Sequence, residues 1–203
     1  MQYFQKTPEE LFQIIKESDP NLPIKIDDFF TFEFAESVFD TLTELDKSFQ
    51  EYLDETHFSY KKSILPIPQN NINIYRLIAI NHYFSKCFKQ LLGNLDWSDF
   101  HNKMKIFRYK KWDFHKKHQD FAFSEKHQDS ITYGFHVSFS KWYESNSWWE
   151  LVFYDNSWIN PTHLLLPTFN TLWIYNTNLV HEVLPIQSIE FTKYTIASGF
   201  WSF

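Results

Sequence analysis

Two histidines and an aspartate have the types and spacing of a metal-binding set. His118 and Asp120 are two residues apart, and in an extended strand side chains two positions apart point to the same face, so both can hold one metal ion. A third ligand has to come from a distant segment, and the candidate is His181. Two imidazoles and one carboxylate suit Fe(II) and leave coordination positions open. The spacing therefore predicts a two-histidine, one-carboxylate iron site.

The sequence also contains a duplicate of the first pair. His118-Gln119-Asp120 and His127-Gln128-Asp129 are the same tripeptide, and so short a motif recurs by chance. The second copy abuts the strand predicted from Ile131, whereas the first leaves residues 121–128 for a connecting loop, so we prefer the first. Without the other motifs, the surroundings of His181 favour a core histidine that is hydrogen-bonded to a carbonyl over a metal ligand.

Composition and charge narrow the class of protein. The chain has 203 residues, enough for one domain with a sizeable core, and 21% of them are aromatic whereas only three are glycine, which argues against disorder. A net charge of -6 and the absence of a long lysine run argue against nucleic-acid binding. Cys87 is the only cysteine, which disfavours a cysteine-rich zinc site. No signal peptide or membrane-length apolar segment is evident, so we expect a cytoplasmic location and no membrane partner.

Helical patterns dominate the first half of the sequence. A capping box at Thr7–Glu10 predicts a helix to about Glu17, and an apolar stripe from Phe34 to Leu53 predicts a second. A third helix is predicted from about Ile74 to Leu92, with a loop over residues 57–71 before it. We expect a single domain over residues 1–203, in which residues 1–100 are mostly helical support and residues 101–203 form the β core.

Short aromatic and β-branched segments predict about seven strands in the second half. Six of them are expected at Lys105–Tyr109, Ile131–Ser140, Glu150–Tyr154, Thr171–Tyr175, Leu179–Val183 and Phe191–Phe203, with turns near Asn146, Asn156, Pro161, Pro167 and Ser188. Regular alternation places His136 on a small polar face that suits a cavity, His115 on the face opposite His118, and Lys193 on a small-residue face with Thr195. The fold class is therefore α+β, mainly β, with a sandwich or barrel.

The order of these motifs resembles the Fe(II)- and 2-oxoglutarate-dependent dioxygenases, specifically the prolyl 4-hydroxylase-like branch. The resemblance covers about Ile24 to Trp201. It is carried by Arg108-Tyr109, His118-Gln119-Asp120, Ser130-Ile131-Thr132, Glu150-Leu151, His181-Glu182-Val183-Leu184-Pro185 and Lys193-Tyr194-Thr195-Ile196. It implies a double-stranded β-helix core, of the jelly-roll or cupin-like type, with N-terminal supporting helices.

The resemblance implies a role for six residues. They are His118, Asp120 and His181 as Fe(II) ligands, Lys193 as the partner of the distal 2-oxoglutarate carboxylate, and Tyr109 and His136 as further cosubstrate-binding residues. Lysine replaces the arginine that is usual in the family, which keeps the charge but loses the bidentate fork. The usual Gly-Gly before Glu150 is replaced by Trp148-Trp149.

The expected activity is that of a 2-oxoglutarate-dependent oxygenase. By the resemblance, it hydroxylates a C–H bond of a prolyl or other residue in a protein or peptide, or of a free amino acid, and releases succinate and CO2. Fe(II) and 2-oxoglutarate are the implied cofactors, and ascorbate is a further candidate. Two alternatives stay open: a non-catalytic β-helix binding module, and a zinc-dependent hydrolase, although no His-Glu-x-x-His motif is present.

Overall fold

A computed structural model describes residues 3–54, 60–64, 75–92, 100–102, 104–119, 133–141, 151–187 and 192–202. The helices in these ranges are α1 (Pro8–Glu17), α2 (Phe32–Glu44) and α3 (Tyr75–Leu92), with a 3-10 turn at Asp46–Ser48. The strands are β1 (Ile24–Ile26), β2 (Gln50–Asp54), β3 (Tyr60–Ile64), β4 (Phe100–Asn102), β5 (Lys105–Tyr109), β6 (Phe114–His118), β7 (Tyr133–Ser138), β8 (Leu151–Tyr154), β9 (Pro161–Leu165), β10 (Thr171–Asn176), β11 (Val180–Val183) and β12 (Lys193–Ser202).

The strands form one continuous antiparallel sheet that folds back on itself. One half has the order β1-β10-β7-β12-β5, which we call the major sheet, and the other has the order β6-β11-β8-β9, the minor sheet; β3 joins them by pairing with both β5 and β6. Buried side chains from both halves meet in one cluster, in which Tyr109, Trp173 and Tyr175 of the major sheet accompany Phe153 and Val183 of the minor sheet. The two sheets therefore face each other.

The three helices share a second core with the outer face of the major sheet. Leu11 of α1, Val38 of α2 and Phe84 of α3 are fully buried together with Phe135 and Ile196 of the sheet. Burial of each such side chain contributes about 1.5–3 kcal/mol, which explains why the apolar stripes form helices here. In the described ranges, no helix is both long and apolar enough to cross a bilayer.

Several predicted elements are confirmed. Helix α1 has the predicted capping box, in which the Thr7 hydroxyl accepts a hydrogen bond from the Glu10 amide at 3.2 Å and the Glu10 carboxylate accepts one from the Thr7 amide at 2.7 Å. Strand β7 has the predicted alternation, because Phe135 and Val137 pack towards the helices whereas His136 lies on the other face. These are the positions where local pattern and tertiary environment agree.

The predicted extent of the second helix is wrong. The apolar period continues to Leu53, but α2 ends at Glu44, and Leu53 lies on β2 with 63% of its surface exposed. Just beyond the helix, the carboxylate of Asp46 accepts hydrogen bonds from Lys110 and Tyr194 and forms an ion pair with Arg108. These tertiary contacts outweigh the local periodicity and turn the chain out of the helix.

One loop prediction is also wrong, because the loop predicted over residues 57–71 contains β3 at Tyr60–Ile64. The turn predicted near Asn156 and Pro161 is present over residues 156–160, and Pro161 is the first residue of β9. Strand β3 owes its existence to pairing with β5 and β6, which lie more than forty residues away in the sequence. Proline is compatible with β9 because that strand lies at the edge of the minor sheet.

Candidate functional site

A sharp kink carries the chain from the major sheet into the minor sheet just before His118. Strands β5 and β6 run in the same direction and pair with successive parts of β3. Between them, the Asp113 carboxylate accepts a hydrogen bond from the Lys110 amide at 2.8 Å, and Trp112 adopts a left-handed backbone with φ of 68°. The Trp112 amide also donates to the Ile186 carbonyl at 2.8 Å, which ties the kink to the segment after β11.

A β-bulge in β6 brings two histidine rings into contact. His118 pairs with His181 and His115 pairs with Val183, so three residues of β6 span two of β11. The extra residue reverses the alternation, and the rings of His115 and His118 stack with their centroids 3.7 Å apart. The expectation that His115 faces away from His118, which assumed a regular strand, is therefore wrong.

His118 and His181 form a matched pair on neighbouring strands. They are direct cross-strand partners, both are buried, and their ring centroids are 4.3 Å apart. Nδ1 of His118 is 2.7 Å from the Lys116 carbonyl, and Nδ1 of His181 is 2.8 Å from the Leu179 carbonyl. Because a carbonyl oxygen only accepts, Nδ1 carries the proton in each ring, so in the neutral imidazole Nε2 keeps the lone pair that a metal needs.

The third predicted ligand cannot be placed. Asp120 lies outside the described residues, as do the duplicate pair His127 and Asp129 and the Trp148-Trp149 substitution. Within the described ranges, no group of three histidine, cysteine or acidic side chains is arranged to hold a metal ion. The structure thus brings together two of the three predicted ligands.

Lys193 and Tyr109 face each other on the inner side of the major sheet. They are cross-strand partners on β12 and β5, both are buried, and the Lys193 Nζ lies 5.5 Å from the centroid of the Tyr109 ring. Thr195, two residues along the same face, is only 5% exposed, and within the described part of the chain its hydroxyl has no hydrogen-bond partner. A positive charge and an unsatisfied hydroxyl therefore share one buried surface.

His136 lies on the same inner surface and is held by a tyrosine. It is the cross-strand partner of Ala197 on one side and of Trp173 on the other. Its Nε2 is 2.8 Å from the hydroxyl of Tyr175. The Tyr175 ring also contacts His181, with the centroids 5.0 Å apart, so it lies between the two histidines.

Two residues of this site were assigned no role from the sequence. For Thr195 the alternation from Lys193 already indicates the correct face, and the missing observation is that its hydroxyl is unsatisfied. For Tyr175 the sequence carries no usable signal, because its contact with His136 spans 39 residues and depends on the register between β10 and β7.

These observations define a class of fold: the double-stranded β-helix of the 2-oxoglutarate and Fe(II) oxygenases, in its prolyl 4-hydroxylase-like form with helices packed on the major sheet. The expected fold class is thereby confirmed. No family model matches the sequence, and no curated protein matches it either.

Solved structures provide the comparison. A prolyl-4-hydroxylase from Pseudomonas putida matches with a TM-score of 0.70 and 13% identity, over 95% of this chain and 99% of that one. A Trichoplax adhaerens prolyl hydroxylase, in complex with a hypoxia-inducible factor peptide, matches with a TM-score of 0.74 and 15% identity, over 96% and 90%. The alpha-ketoglutarate-dependent epimerase SnoN of nogalamycin biosynthesis matches with a TM-score of 0.64 and 10% identity, over 96% and 80%. At such identities the likeness shows the fold alone.

Proposed function

We propose that the chain is an Fe(II)- and 2-oxoglutarate-dependent oxygenase. The observation that carries the proposal is that two kinds of binding group lie on facing sheets: a pair of histidines that can hold a metal ion, and a buried cationic surface that can hold a carboxylate. The minor sheet presents His118 and His181 with Nε2 as the lone-pair nitrogen, and the major sheet presents the buried Lys193 ammonium beside the unsatisfied hydroxyl of Thr195. A metal ion and a dicarboxylate would occupy these two ends of one space.

The described donors fit an Fe(II) site. His118 and His181 are held by hydrogen bonds from Nδ1–H to backbone carbonyls, an arrangement that fixes the ring orientation and the tautomer of metal-binding histidines. The resemblance adds Asp120 as the carboxylate ligand. Two imidazoles and one carboxylate leave positions for a bidentate oxo acid and oxygen.

The opposite surface fits the distal carboxylate of 2-oxoglutarate. Lys193 supplies a positive charge, and the Thr195 hydroxyl is a donor that gains its hydrogen bond when a carboxylate is bound. Tyr109 lies beside the ammonium and His136 lies further along the same inner face. The unsatisfied Thr195 hydroxyl is the clearest sign of a ligand, because buried polar groups are nearly always hydrogen-bonded.

The proposed reaction oxidises a substrate C–H bond. When bound, Fe(II) and 2-oxoglutarate supply the oxidising chemistry, in which O2 gives one oxygen atom to the substrate hydroxyl and one to succinate while CO2 is released. Lys193 and Thr195 hold the cosubstrate, and His118 and His181 hold the metal on the facing sheet. Phe153 and Trp173 belong to the buried apolar cluster between the two sheets, and we expect this cluster to limit the access of water to the bound groups.

We further propose that the substrate is a prolyl or other amino-acid residue, in a peptide or as the free amino acid. The support is the likeness to prolyl hydroxylases, one of which is described with a bound peptide. One of the matching structures is an epimerase, so the fold also supports reactions other than hydroxylation. The substrate therefore needs a test of its own.

The experiment uses the full chain with Fe(II) and 2-oxoglutarate. Without oxygen we expect a weak visible charge-transfer band, and in air, with ascorbate to keep the iron reduced, slow release of succinate. His118→Ala is expected to abolish both signals. The duplicate motif provides the matched control, because His127→Ala removes a histidine from the same tripeptide and should leave both signals intact.

The other outcomes separate the rival functions. Cosubstrate binding without succinate release, also with candidate peptides, would indicate a non-catalytic binding module. Tight stoichiometric zinc with no affinity for 2-oxoglutarate would indicate a hydrolase. Loss of the band in His127→Ala and not in His118→Ala would overturn the ligand assignment.

A further inference from the structure

The β-bulge in β6 decides which of two neighbouring residues lies opposite His181. With the bulge, His115 pairs with Val183 and His118 pairs with His181. If β6 continued from His115 without the extra residue, antiparallel pairing would place Lys117 opposite His181 instead. The lysine would then point into the space between the sheets and His118 would point away from it, because successive side chains of a strand alternate. The two histidines therefore form a pair only in the bulged register.

Lys117 is held on the outer face of the minor sheet. Its ammonium donates a hydrogen bond to the Trp158 carbonyl at 2.7 Å, and its Nζ lies 3.4 Å from the centroid of the Tyr154 ring. Tyr154 follows the inward-facing Phe153 on β8, so its ring lies on the outer face. Because β11 lies between β6 and β8, Lys117 reaches across one strand to contact the next.

Both groups that Lys117 contacts are themselves held in place. Trp158 lies in the turn between β8 and β9, where its amide donates a hydrogen bond to the Asp155 carbonyl at 2.9 Å. The Tyr154 hydroxyl donates a hydrogen bond to the carboxylate of Glu182 on β11. The contacts of Lys117 therefore tie β6 to β8 and, through Tyr154, to the strand that carries His181.

A second side chain makes a similar contact on the other side of His118. Nε2 of Gln119 donates a hydrogen bond at 2.6 Å to the carbonyl of Asn178, in the turn that precedes β11. Gln119 comes two residues after Lys117, so in an extended chain the two side chains point to one face and His118 points to the other. Both hydrogen bonds thus agree with the register in which the His118 ring faces the space between the sheets.

The charge of Lys117 also disfavours the register without the bulge. The inner surface beside His181 includes Phe153 and Val183, which belong to the buried apolar cluster between the sheets. An ammonium that moved into this surface would lose its contact with the Trp158 carbonyl and with water, and burial of a charge in apolar surroundings is strongly unfavourable. A methionine at position 117 has a similar length and would tolerate either face.

We propose that Lys117 is a positioning residue, whose contacts on the outer face select the bulged pairing of β6 with β11 and so place His118 opposite His181 for metal binding. Gln119 supports the same register. The inference rests on the proposed function for the metal, whereas the register of β6 can be measured without any metal.

The first experiment is NMR of the histidine rings in the metal-free protein, with signals assigned by their absence in His118→Ala and His181→Ala. The ring centroids of this pair are 4.3 Å apart, so wild type should show one set of signals with a nuclear Overhauser contact between the rings. Lys117→Met should show a second set of His118 signals that lacks this contact. Lys117→Arg keeps the charge and the hydrogen-bond donor and should show the single wild-type set.

Lys116→Met is the matched control, because it removes an adjacent lysine that is exposed. It should leave the His118 signals unchanged. A single unchanged set of His118 signals in Lys117→Met, or an equal change in Lys116→Met, would overturn the inference.

The second experiment measures the affinity for Co(II), a spectroscopic substitute for Fe(II), by calorimetry and visible absorption. Lys117→Met should weaken Co(II) binding about tenfold, which is typical for loss of a group that orients a metal ligand. Lys117→Arg should restore the affinity, and Lys116→Met should change it by less than about twofold. A Lys117→Met protein that is less stable in urea but binds Co(II) as wild type does would show a general structural role and overturn the inference.

The outcomes are separable from those of the proposed function. If wild type shows the contact between His118 and His181 but binds neither Co(II) nor Fe(II), the proposed metal site fails. The NMR result for Lys117→Met then decides alone whether this lysine sets the register of β6.

Discussion

Among the described residues, a buried hydroxyl with no hydrogen-bond partner marks the proposed cosubstrate end more clearly than a charge does. A buried charge can be paired for structural reasons alone, whereas few buried polar atoms in a protein lack a hydrogen bond. Thr195 combines such an atom with a place on the same face as Lys193 and directly opposite Ser138. The alternation in the sequence predicts its face, but only the structure identifies the missing hydrogen bond.

The first prediction concerns Thr195→Val, which replaces the hydroxyl by a methyl group of similar size. We expect the ligand-free protein to gain about 1 kcal/mol in the free energy of unfolding, because an unsatisfied buried hydroxyl is removed. We expect the affinity for 2-oxoglutarate to fall about tenfold, because a hydrogen bond to a carboxylate is lost. Urea unfolding and calorimetry measure the two quantities.

Thr171→Val is the matched control for this prediction. Thr171 is also buried and pairs with Ser138 from the other side, but its hydroxyl is hydrogen-bonded to Asp27 at 3.1 Å and lies 2.6 Å from that of Thr168. Its replacement should lower the free energy of unfolding by about 1 kcal/mol and leave the affinity unchanged. If Thr195→Val destabilises the protein as Thr171→Val does, the hydroxyl of Thr195 is satisfied in the free protein.

At the scale of elements, the site depends on where strands bend. The residue pattern predicts β5 and β7 closely, because each alternates regularly between two environments. It does not predict the kink at Trp112, which is tied to Ile186, or the bulge in β6, which depends on pairing with β11, since both partners lie far away in the sequence. The stacked His115 and His118 rings are a consequence of that bulge.

The 3-10 turn after α2 is attached to the outer face of the major sheet through one carboxylate. Asp46 accepts a hydrogen bond from Tyr194 at 2.8 Å, and its Oδ2 is 3.1 Å from both the Arg108 guanidinium and the Lys110 ammonium. Arg108 and Tyr194 adjoin Tyr109 and Lys193 in sequence. This contact therefore anchors the two strands that carry the proposed cosubstrate residues.

The second prediction concerns the stability of this anchor. Asp46→Asn keeps the shape but leaves the nearly buried Arg108 guanidinium without its carboxylate, so we expect a loss of about 2 kcal/mol in the free energy of unfolding at neutral pH. Asp40→Asn, on the exposed face of α2, is the control and should change it by less than about 0.5 kcal/mol. Urea unfolding measures both.

The penalty in Asp46→Asn should disappear in acid. Burial tends to raise the pKa of Asp46, but hydrogen bonds from Tyr194, Lys110 and Arg108 outweigh it and hold the pKa below the ordinary value of 3.8. A lowered folded-state pKa contributes stability that is present above the ordinary value and is lost as the pH falls through the lowered one. A penalty that persists unchanged at the most acidic pH where the protein is folded would show that charge is not its cause.

On the scale of the whole molecule, the sequence indicates the class of fold but not which segments of the first hundred residues form strands rather than helices. Predominantly helical patterns before residue 100 conceal β2 and β3, and β3 is the strand that joins the two sheets. Their sequences lack a strong alternating pattern, so their pairing is decided by distant partners. The ordered motifs from Tyr109 to Lys193 carried the fold prediction, because several motifs in a fixed order are more specific than any one of them.

The proposed ligands would join the two facing sheets, which leads to the third prediction. His118 and His181 belong to the minor sheet, whereas Lys193 and Thr195 belong to the major sheet. Fe(II) and 2-oxoglutarate together should therefore stabilise the protein more than either alone. Ligand at one hundred times its dissociation constant adds about 2.7 kcal/mol, and for a chain of this size that corresponds to a rise in Tm of about 5–10 °C.

Anaerobic thermal unfolding measures this coupling, with Lys193→Met as the variant that removes the charge and keeps an unbranched side chain. In wild type, 2-oxoglutarate should raise the Tm strongly only when Fe(II) is present, because the metal holds one end of the ligand and Lys193 the other. In Lys193→Met the shift caused by Fe(II) alone should persist, whereas the additional shift caused by 2-oxoglutarate should be largely lost. A full 2-oxoglutarate shift without metal, or an undiminished one in Lys193→Met, would mean that the ligand does not bridge His181 and Lys193 and lies elsewhere on the protein.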